Sequence, residues 1–149
     1  MEDVKMDLKS DKEKVKKYYD QEAKDYMREI SIGVDIEDVE RFAKLDFKKD
    51  KFFFDRVYTQ REMKYCLSKS NPYPHLAVRF AGKEAVIKVI SGFGEKISPN
   101  EIEILNDANG TPAVNMNNKK FSNIEVIISL SHCKAKAIAF ALGVKNGDY

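Results

Sequence analysis

The sequence has few cysteines and histidines, almost no net charge and no long apolar run. It contains 2 cysteines and 2 histidines, with no Cys-x-x-Cys or His-Glu-x-x-His pattern, which argues against a zinc site. The net charge of +2 gives little support to binding of nucleic acid or a membrane surface. No apolar run is long enough to span a bilayer, and no signal-peptide pattern opens the chain. These absences favour a cytoplasmic protein with reduced thiols, and with neither nucleic acid nor a membrane as its partner.

The chain is long enough for one domain with a substantial core, preceded by a segment of different composition. It has 149 residues, of which 43% are apolar and 34% are charged. Residues 1–29 are rich in Lys, Asp and Glu, lack Gly and Pro, and carry apolar residues at roughly helical spacing. We therefore expect a charged, helical N-terminal extension over 1–29, either solvated or contacting a partner, and a folded domain over 30–149.

Hydrophobic patterns in the domain predict one strand followed by helices. Residues 30–36 alternate β-branched residues with small or polar ones, as a half-buried strand does, and a short helix follows. Thr59 and Glu62 have the spacing of a capping box at the start of a further helix. A long helix spans about 75–90 and ends in glycines.

The last third of the chain predicts strands. Its segments alternate apolar and polar residues, and short turn sequences connect them. We expect these strands over 101–107, 112–116, 124–132 and 136–144. The order of elements predicts an α+β fold, in which one strand precedes several helices, one of them long, and an antiparallel sheet.

Several charged residues near the long helix have both a structural and a chemical interpretation. Glu84 and Lys88 stand in the favourable order of an exposed helical ion pair. Asp35 ends an apolar strand, and Asp35 or Asp38 would suit a cap of the next helix. Together, however, Asp35 and Glu84 offer two carboxylates on different elements. The cations close to Glu84 in sequence, which could offset phosphate charge, are Arg79, Lys83 and Lys88. Because Mg²⁺ is commonly held by one or two carboxylates and substrate phosphates, the combination suggests a magnesium–phosphate site.

Two further segments have weaker chemical interpretations. Ser129, Ser131 and His132 end an apolar strand, but alternation puts the serines on one face and the histidine on the other. A Ser-His nucleophile also needs a third, orienting group, so a hydrolase of this kind is disfavoured. The segment with Gly110 and Pro112 predicts a hairpin turn, whose exposed backbone would let a ligand approach closely.

Two motifs carry a resemblance to a known family: Gly33-Val34-Asp35 and Lys83-Glu84-Ala85, about fifty residues apart. Further matching stretches occur in the family's order and at about its spacing. The matching segments are 32–42, 54–62, 79–94, 101–114 and 128–142. On these residues the sequence resembles the holo-acyl-carrier-protein synthases, the small, trimeric class of 4′-phosphopantetheinyl transferases. The resemblance covers roughly residues 30–144.

The resemblance implies an enzyme that transfers 4′-phosphopantetheine from coenzyme A to a serine of an apo acyl carrier protein. The reaction would depend on Mg²⁺ and release 3′,5′-adenosine bisphosphate. Asp35 and Glu84 match the family's magnesium ligands. One of these carboxylates, Glu84 or Asp35 through a water, would accept the serine proton. Lys88 matches a phosphate-binding lysine one helical turn after Glu84, and completes the catalytic set.

The resemblance also implies the surfaces that hold the two substrates. The residues that match coenzyme A contacts are Arg79, Lys83, Lys88, Gly110, Pro112 and His132. A basic stretch after the first strand would dock the acidic carrier protein through local positive charge. The expected docking residues are Arg41, Lys44, Lys48 and Arg56. Since the family is trimeric with each site between two subunits, we expect a homotrimer.

Three features depart from the family pattern. Asp38 stands where the family usually has Glu, Thr111 stands where it has Lys, and residues 1–29 precede the strand at which the family typically starts. Two other functions use the same residues: a Mg²⁺-dependent phosphohydrolase, and a non-catalytic domain that binds a nucleotide or carrier protein. The presence of both Asp35 and Glu84 argues against a decayed, non-catalytic site.

Overall fold

The computed structural model describes residues 12–17 and 29–147 of the chain, which divides into two units. Residues 12–17 form an exposed α-helix, α1, in the smaller unit. The rest of the expected helical extension, 1–11 and 18–28, lies outside the described residues. The larger unit comprises Glu29–Asn146. In the described ranges, no helix combines the length and the apolar character needed to cross a membrane.

The larger unit begins with a long strand, continues through four helices and ends in two hairpins. Its first part consists of β1 (Glu29–Asp38), α2 (Val39–Ala43), α3 (Lys51–Val57), α4 (Gln60–Leu67) and α5 (Tyr73–Gly92). The hairpins consist of β2 (Ile102–Asn106) with β3 (Pro112–Met116), and β4 (Ile124–His132) with β5 (Lys136–Lys145). Two short 3-10 helices, Pro99–Glu101 and Lys119–Phe121, precede β2 and β4. This order confirms the predicted α+β fold, with one long helix and antiparallel strands.

The starts of α4 and α5 follow from local sequence signals. The Thr59 hydroxyl accepts the Glu62 backbone N–H at 3.3 Å, and the Glu62 carboxylate accepts the Thr59 N–H at 2.8 Å. α5 begins slightly earlier than predicted, at Tyr73, because Pro74 fits the first helical turn, where no backbone N–H is needed. The chain leaves α5 at Gly94, whose φ of +77° favours glycine.

α5 packs across one face of a three-stranded sheet, whose strand order is β1-β5-β4. The central strand β5 presents its smallest residues to this helix: Ala137, Ala139, Ala141 and Gly143 are all buried. A Cβ at Gly143 would lie 2.2 Å from Val89 Cγ1 of α5. The row of small residues therefore lets the helix lie close to the sheet.

The core has two clusters that meet along α5. One joins α5 to β2, β4 and β5, and includes Ile90 and Ile104. The other joins α2, α3 and α4 to the start of α5, around the fully buried Phe42. Cys66 packs in this second cluster as a free thiol, and Cys133 is a free thiol on the surface.

The sheet face opposite α5 is apolar and exposed. β1 alternates, so that its odd-numbered residues face α5 and its even-numbered residues face outward. The outward side chains of β1 at 30, 32, 34 and 36 are 54–67% exposed. This outer face consists of Ile30, Ile32, Val34, Ile36, Ile127, Ile138 and Phe140. A contiguous exposed apolar surface of this kind marks a site of contact with another molecule.

Candidate active site

β1 and α5 cross in direct contact at Gly33. A Cβ added to Gly33 would lie 2.0 Å from Ala85 O and 3.1 Å from Lys88 Cβ, so only glycine lets the two backbones come this close. Asp35 is the next residue on the same face of β1, and Glu84 precedes Ala85 on α5. The Gly-x-Asp and Lys-Glu-Ala motifs therefore meet at this crossing, which brings the three predicted catalytic residues together.

Lys88 holds one oxygen of Asp35 and leaves the other without a partner. The Lys88 ammonium donates to Asp35 Oδ1 at 2.9 Å and to the backbone carbonyl of Val34 at 2.6 Å. Asp35 Oδ2 is buried and has no hydrogen-bond partner. Because buried acceptors are almost always satisfied, this oxygen is free to accept from a water or to bind an ion or ligand. Lys88 thus joins the helix to the strand, instead of forming the surface pair with Glu84 that the spacing suggested.

Glu84 lies half-buried beside this pair. Burial raises the pKa of the Glu84 carboxyl above its ordinary value, the Asp35 charge raises it further, and Lys88 partly opposes this. In residues 12–17 and 29–147, no three His, Cys, Asp or Glu side chains form a group that could hold a metal ion. Two carboxylates with phosphates and waters are, however, a ligand set typical of Mg²⁺. The unpartnered Asp35 oxygen and the repulsion between the Asp35 and Glu84 carboxylates fit the expected Mg²⁺ ion, which these two residues would hold.

Asp38, the acid at the position of the family's glutamate, has a different partner. It occupies the N-cap position of α2, but its side chain makes no cap hydrogen bond. Lys136 Nζ instead donates to Asp38 Oδ1 at 2.6 Å, and both side chains are exposed. Asp35 lies well inside β1. Neither acid caps the helix through its side chain, so the capping interpretation of Asp35 was wrong.

Lys83 is buried inside the domain. Its side chain is 1% exposed, and its ammonium lies 2.8 Å from the equally buried carboxylate of Glu62. It also donates to the backbone carbonyls of Pro99, at 2.9 Å, and Ile102. Burial lowers the pKa of Lys83, and Glu62 opposes this by favouring the charged form. This position corrects the expectation that Lys83 contacts coenzyme A, because an ammonium has three donors and all three are used internally.

Arg79 is buried as well, and it reaches the predicted turn only through another side chain. It is 2% exposed, and it donates to Ile104 O at 3.1 Å and to Asn106 Oδ1 at 3.0 Å. Its guanidinium carbon lies 4.1 Å from the centre of the Tyr65 ring. Asn106 in turn donates to the Gly110 carbonyl at 2.8 Å. The expected direct contact of Arg79 with a phosphate does not fit this burial. Asn106 was not among the predicted site residues, and its place just before the turn was the one sequence signal for it.

The turn between β2 and β3 is exposed and held by its own hydrogen bonds. Gly110 has a φ of +84°, which is the left-handed conformation that favours glycine. Asp107 Oδ1 accepts the backbone N–H groups of Asn109 at 2.8 Å and Thr111 at 2.9 Å. Pro112 begins β3, as expected. The backbone of this turn is therefore accessible to a ligand, and its contact with coenzyme A stays a prediction.

His132 ends β4 beside the other histidine of the chain, His75, on α5. Their ring centres are 5.4 Å apart, with the rings edge to face. Partial burial lowers the pKa of His75, and the charges of His132 and Arg79 lower it further. Ser129 and Ser131 are exposed on the opposite side of the strand from His132, so strand alternation argues against a Ser-His nucleophile here.

Two of the four expected docking residues have acidic partners. The Arg41 guanidinium lies 2.9 Å from Glu37 and packs over the Phe80 ring, 4.9 Å from its centre. Lys44 pairs with Glu40 at 2.8 Å, between two largely exposed side chains. These acids reduce the positive field that the two cations would otherwise produce on α2.

The other two docking residues accompany exposed aromatic rings. Lys48 is exposed in the segment between α2 and α3, near Phe47, whose side chain is 37% exposed. The Arg56 guanidinium lies 5.4 Å from the ring centre of Phe52, which is 73% exposed. Among the ion pairs of the described part of the chain, Lys48 and Arg56 have no acidic partner. These two cations therefore lie beside exposed aromatic rings, in a segment that also contains Asp46, Asp50 and Asp55.

The predicted site residues form two groups within one chain. Asp35, Glu84 and Lys88 lie where α5 crosses β1, whereas Arg79 faces β2 and supports the turn at Gly110. Because successive helical residues are about 100° apart, Arg79 and Glu84 point about 140° away from each other. The chain therefore presents a carboxylate surface and a separate surface formed by the β2–β3 turn.

The fold and the meeting of the two motifs define a phosphopantetheinyl transferase. The family model described as ACPS, 4′-phosphopantetheinyl transferase superfamily, matches residues 31–141. The chain belongs to this superfamily, which confirms the resemblance drawn from its motifs.

Similar proteins are named holo-[acyl-carrier-protein] synthase. One from Protochlamydia amoebophila is 44% identical over 117 residues, which are 76% of this chain and 96% of that protein. Another, from Thermodesulfovibrio yellowstonii, is 40% identical over 111 residues, 74% of this chain and 95% of its own length. The crystal structure of a synthase from Bacillus anthracis in complex with CoA (3′,5′-ADP) is 26% identical with a TM-score of 0.65. That likeness covers 80% of this chain and 99% of the other.

Proposed function

We propose that this protein transfers 4′-phosphopantetheine from coenzyme A to a serine of an apo acyl carrier protein. The observation that carries the proposal is the crossing of β1 and α5, where an unpartnered Asp35 oxygen lies beside Glu84 and Lys88. The names of the relatives, and the coenzyme A in the Bacillus anthracis structure, support the same substrates. Magnesium dependence and the release of 3′,5′-adenosine bisphosphate belong to the proposal.

The three residues at the crossing have distinct functions in this proposal. Asp35 and Glu84 would hold Mg²⁺, which would supply Lewis-acid stabilisation of the charge that develops on the phosphates. Lys88 is half-exposed, so it can exchange its contact with Asp35 for a charge-assisted hydrogen bond to a phosphate oxygen. Glu84, or Asp35 through a water, would accept the proton of the carrier serine as the serine oxygen attacks the β-phosphate. The pyrophosphate P–O bond then breaks, and 3′,5′-adenosine bisphosphate leaves.

We also propose that the complete site forms between subunits of a homotrimer. The carboxylate surface and the β2–β3 turn lie on different sides of α5. A ligand that contacts both would therefore bind between two subunits, with one surface from each. The outer face of the sheet offers the apolar surface on which a second copy would pack. Sedimentation velocity should give a trimer, and Ile32→Glu should give smaller species with little transfer. A fully active monomer would contradict this assembly.

The carrier protein is proposed to dock on α2, α3 and the segment between them. Lys48 and Arg56 supply positive charge without acidic partners, and Phe52 supplies an exposed ring. This combination suits an acidic protein partner with an apolar anchor point. Arg41 and Lys44 add to the positive charge, although neighbouring acids partly offset it.

The test of the function is to incubate the protein with apo carrier proteins, coenzyme A and Mg²⁺, and to measure the carrier mass. We expect a gain of one phosphopantetheine. Asp35→Asn and Glu84→Gln should lose transfer by roughly 100-fold or more, since each removes a metal ligand. Glu95→Gln is the matched control, because it removes a surface carboxylate that pairs with Lys120. Release of phosphopantetheine without an acceptor would indicate a phosphohydrolase, and no mass gain on any carrier would refute the proposal.

A further inference from the structure

The buried side chain of Arg79 joins α5 to the β2–β3 hairpin. Its guanidinium donates through three nitrogens: Nε to Ile104 O at 3.1 Å, Nη1 to His75 O at 3.3 Å and Nη2 to Asn106 Oδ1 at 3.0 Å. Tyr65 covers one side of the guanidinium plane. Since Arg79 is almost fully buried, these contacts fix its position relative to α5.

Asn106 connects this buried side chain to the exposed turn. It is the last residue of β2, and its side-chain amide uses both ends: Oδ1 accepts from Arg79, and Nδ2 donates to the Gly110 carbonyl at 2.8 Å. The other hydrogen bonds of the turn run within it, from Asp107 to residues 109–111. Among the hydrogen bonds of the described residues, the Asn106 amide is thus the link between the tip of the turn and α5.

We propose that Asn106 is a positioning residue for the nucleotide end of coenzyme A. Through its hydrogen bonds to Arg79 and Gly110, it holds the backbone of the turn at a fixed distance from α5. This inference rests on the proposed function, with Gly110 and Pro112 contacting coenzyme A as the resemblance implies, and it assigns that contact to the nucleotide. The reacting phosphate is bound elsewhere, by Asp35, Glu84 and Lys88. Loss of the link should therefore weaken nucleotide binding and leave the chemical step unchanged.

Three variants separate the two hydrogen bonds of the amide. Asn106→Ala removes both bonds, whereas Asn106→Asp keeps an acceptor for Arg79 and loses the donor to Gly110. Asn115→Ala is the matched control. Asn115 is an exposed asparagine on the same hairpin, and its side-chain amide donates to Asn117 Oδ1, with no link to α5 among the hydrogen bonds of the described residues. All three substitutions affect exposed side chains, so all three proteins should fold.

The readouts are calorimetric affinity for 3′,5′-adenosine bisphosphate, KM and kcat for coenzyme A, and hydrogen exchange of the turn amides. Loss of one or two hydrogen bonds should weaken nucleotide affinity and raise KM about three- to tenfold in both Asn106 variants. We expect kcat to stay near that of the wild type. The melting temperature should stay near the wild-type value in Asn106→Asp and fall in Asn106→Ala, which leaves a buried Arg79 N–H without its acceptor. Exchange at residues 109–111 should become faster in both Asn106 variants and stay unchanged in Asn115→Ala.

Two results would overturn the positioning role while leaving the proposed function intact. One is an active wild-type protein for which Asn106→Ala binds nucleotide as well as Asn115→Ala does. The other is an Asn106→Asp variant that matches the wild type in affinity and exchange, because the Gly110 bond would then contribute nothing. A wild-type protein that modifies no carrier would overturn both the proposed function and this inference.

Discussion

The substitution Gly33→Ala tests how the carboxylate site is built. The new Cβ would lie 2.0 Å from Ala85 O, about 1.4 Å short of the 3.4 Å at which ordinary contact begins. Both groups belong to backbones, one in a strand and one inside α5, so neither can rotate away. Relief requires the two elements to separate by roughly 1 Å, at a cost of about 1–3 kcal/mol. For a domain of this size, each kcal/mol lowers the melting temperature by about 4 °C.

Gly33→Ala should have a larger effect on the rate of transfer than on the free energy of unfolding. A displacement of about 1 Å between Asp35 and Glu84 can reduce a catalysed rate roughly 100-fold. Thermal melts by circular dichroism and the carrier mass assay measure the two effects. Gly82→Ala is the control, because its Cβ would meet a movable side-chain end, Ile104 Cδ1 at 2.6 Å, and alanine favours the helix. If Gly33→Ala melted and reacted like the wild type, the close crossing would not be the basis of the site.

Three further predictions concern charge. Burial and Asp35 raise the pKa of Glu84, so its ionisation weakens the folded state as the pH rises above the usual glutamate value. In EDTA, Glu84→Gln should therefore melt higher than the wild type at pH 8, and this gain should vanish near pH 4.5; an equal gain at both pH values would contradict this. Lys83→Met should cost about 3–5 kcal/mol in denaturant melts, because Glu62 is left buried and unpaired. Adding Glu62→Gln should recover much of that loss, and a double variant no more stable than the single one would count against the pair. Arg56→Glu should slow carrier modification mainly at low salt; a loss independent of salt would argue against steering.

The fold could largely be predicted because its signals are local. The alternation in β1 and the capping box at Thr59 each lie within about ten residues, and each hairpin joins two strands that are consecutive in the sequence. The exposure of the outer sheet face could not be predicted, since alternation alone identifies two faces without saying what covers each one. The register of β1 with β5 was needed to place Val34 beside Phe140 on one apolar surface.

The candidate site was predicted in part, and the errors have a common cause. Asp35, Glu84 and Lys88 converge as their motifs implied. Lys83 was misassigned because its partner, Glu62, lies on a different helix and was interpreted only as a capping residue. Lys83 and Arg79 stand four residues apart, which places both on one side of α5. A hydrophobicity pattern assigns charged residues to the surface, and only tertiary contacts show that these two are neutralised or hydrogen-bonded in the interior.

β1 carries the candidate carboxylate site on one face and the proposed subunit contact on the other, so both depend on one strand register. Gly33 and Asp35 occupy positions that face α5, while Ile32 and Val34 between them face outward. A shift of one residue against β5 would exchange the two sets, turning the carboxylate outward and driving an aliphatic side chain against the Ala85 carbonyl. An insertion or deletion of one residue in this strand would therefore displace both Asp35, the proposed metal ligand, and the apolar outer face. We therefore expect insertions and deletions within β1 to be poorly tolerated.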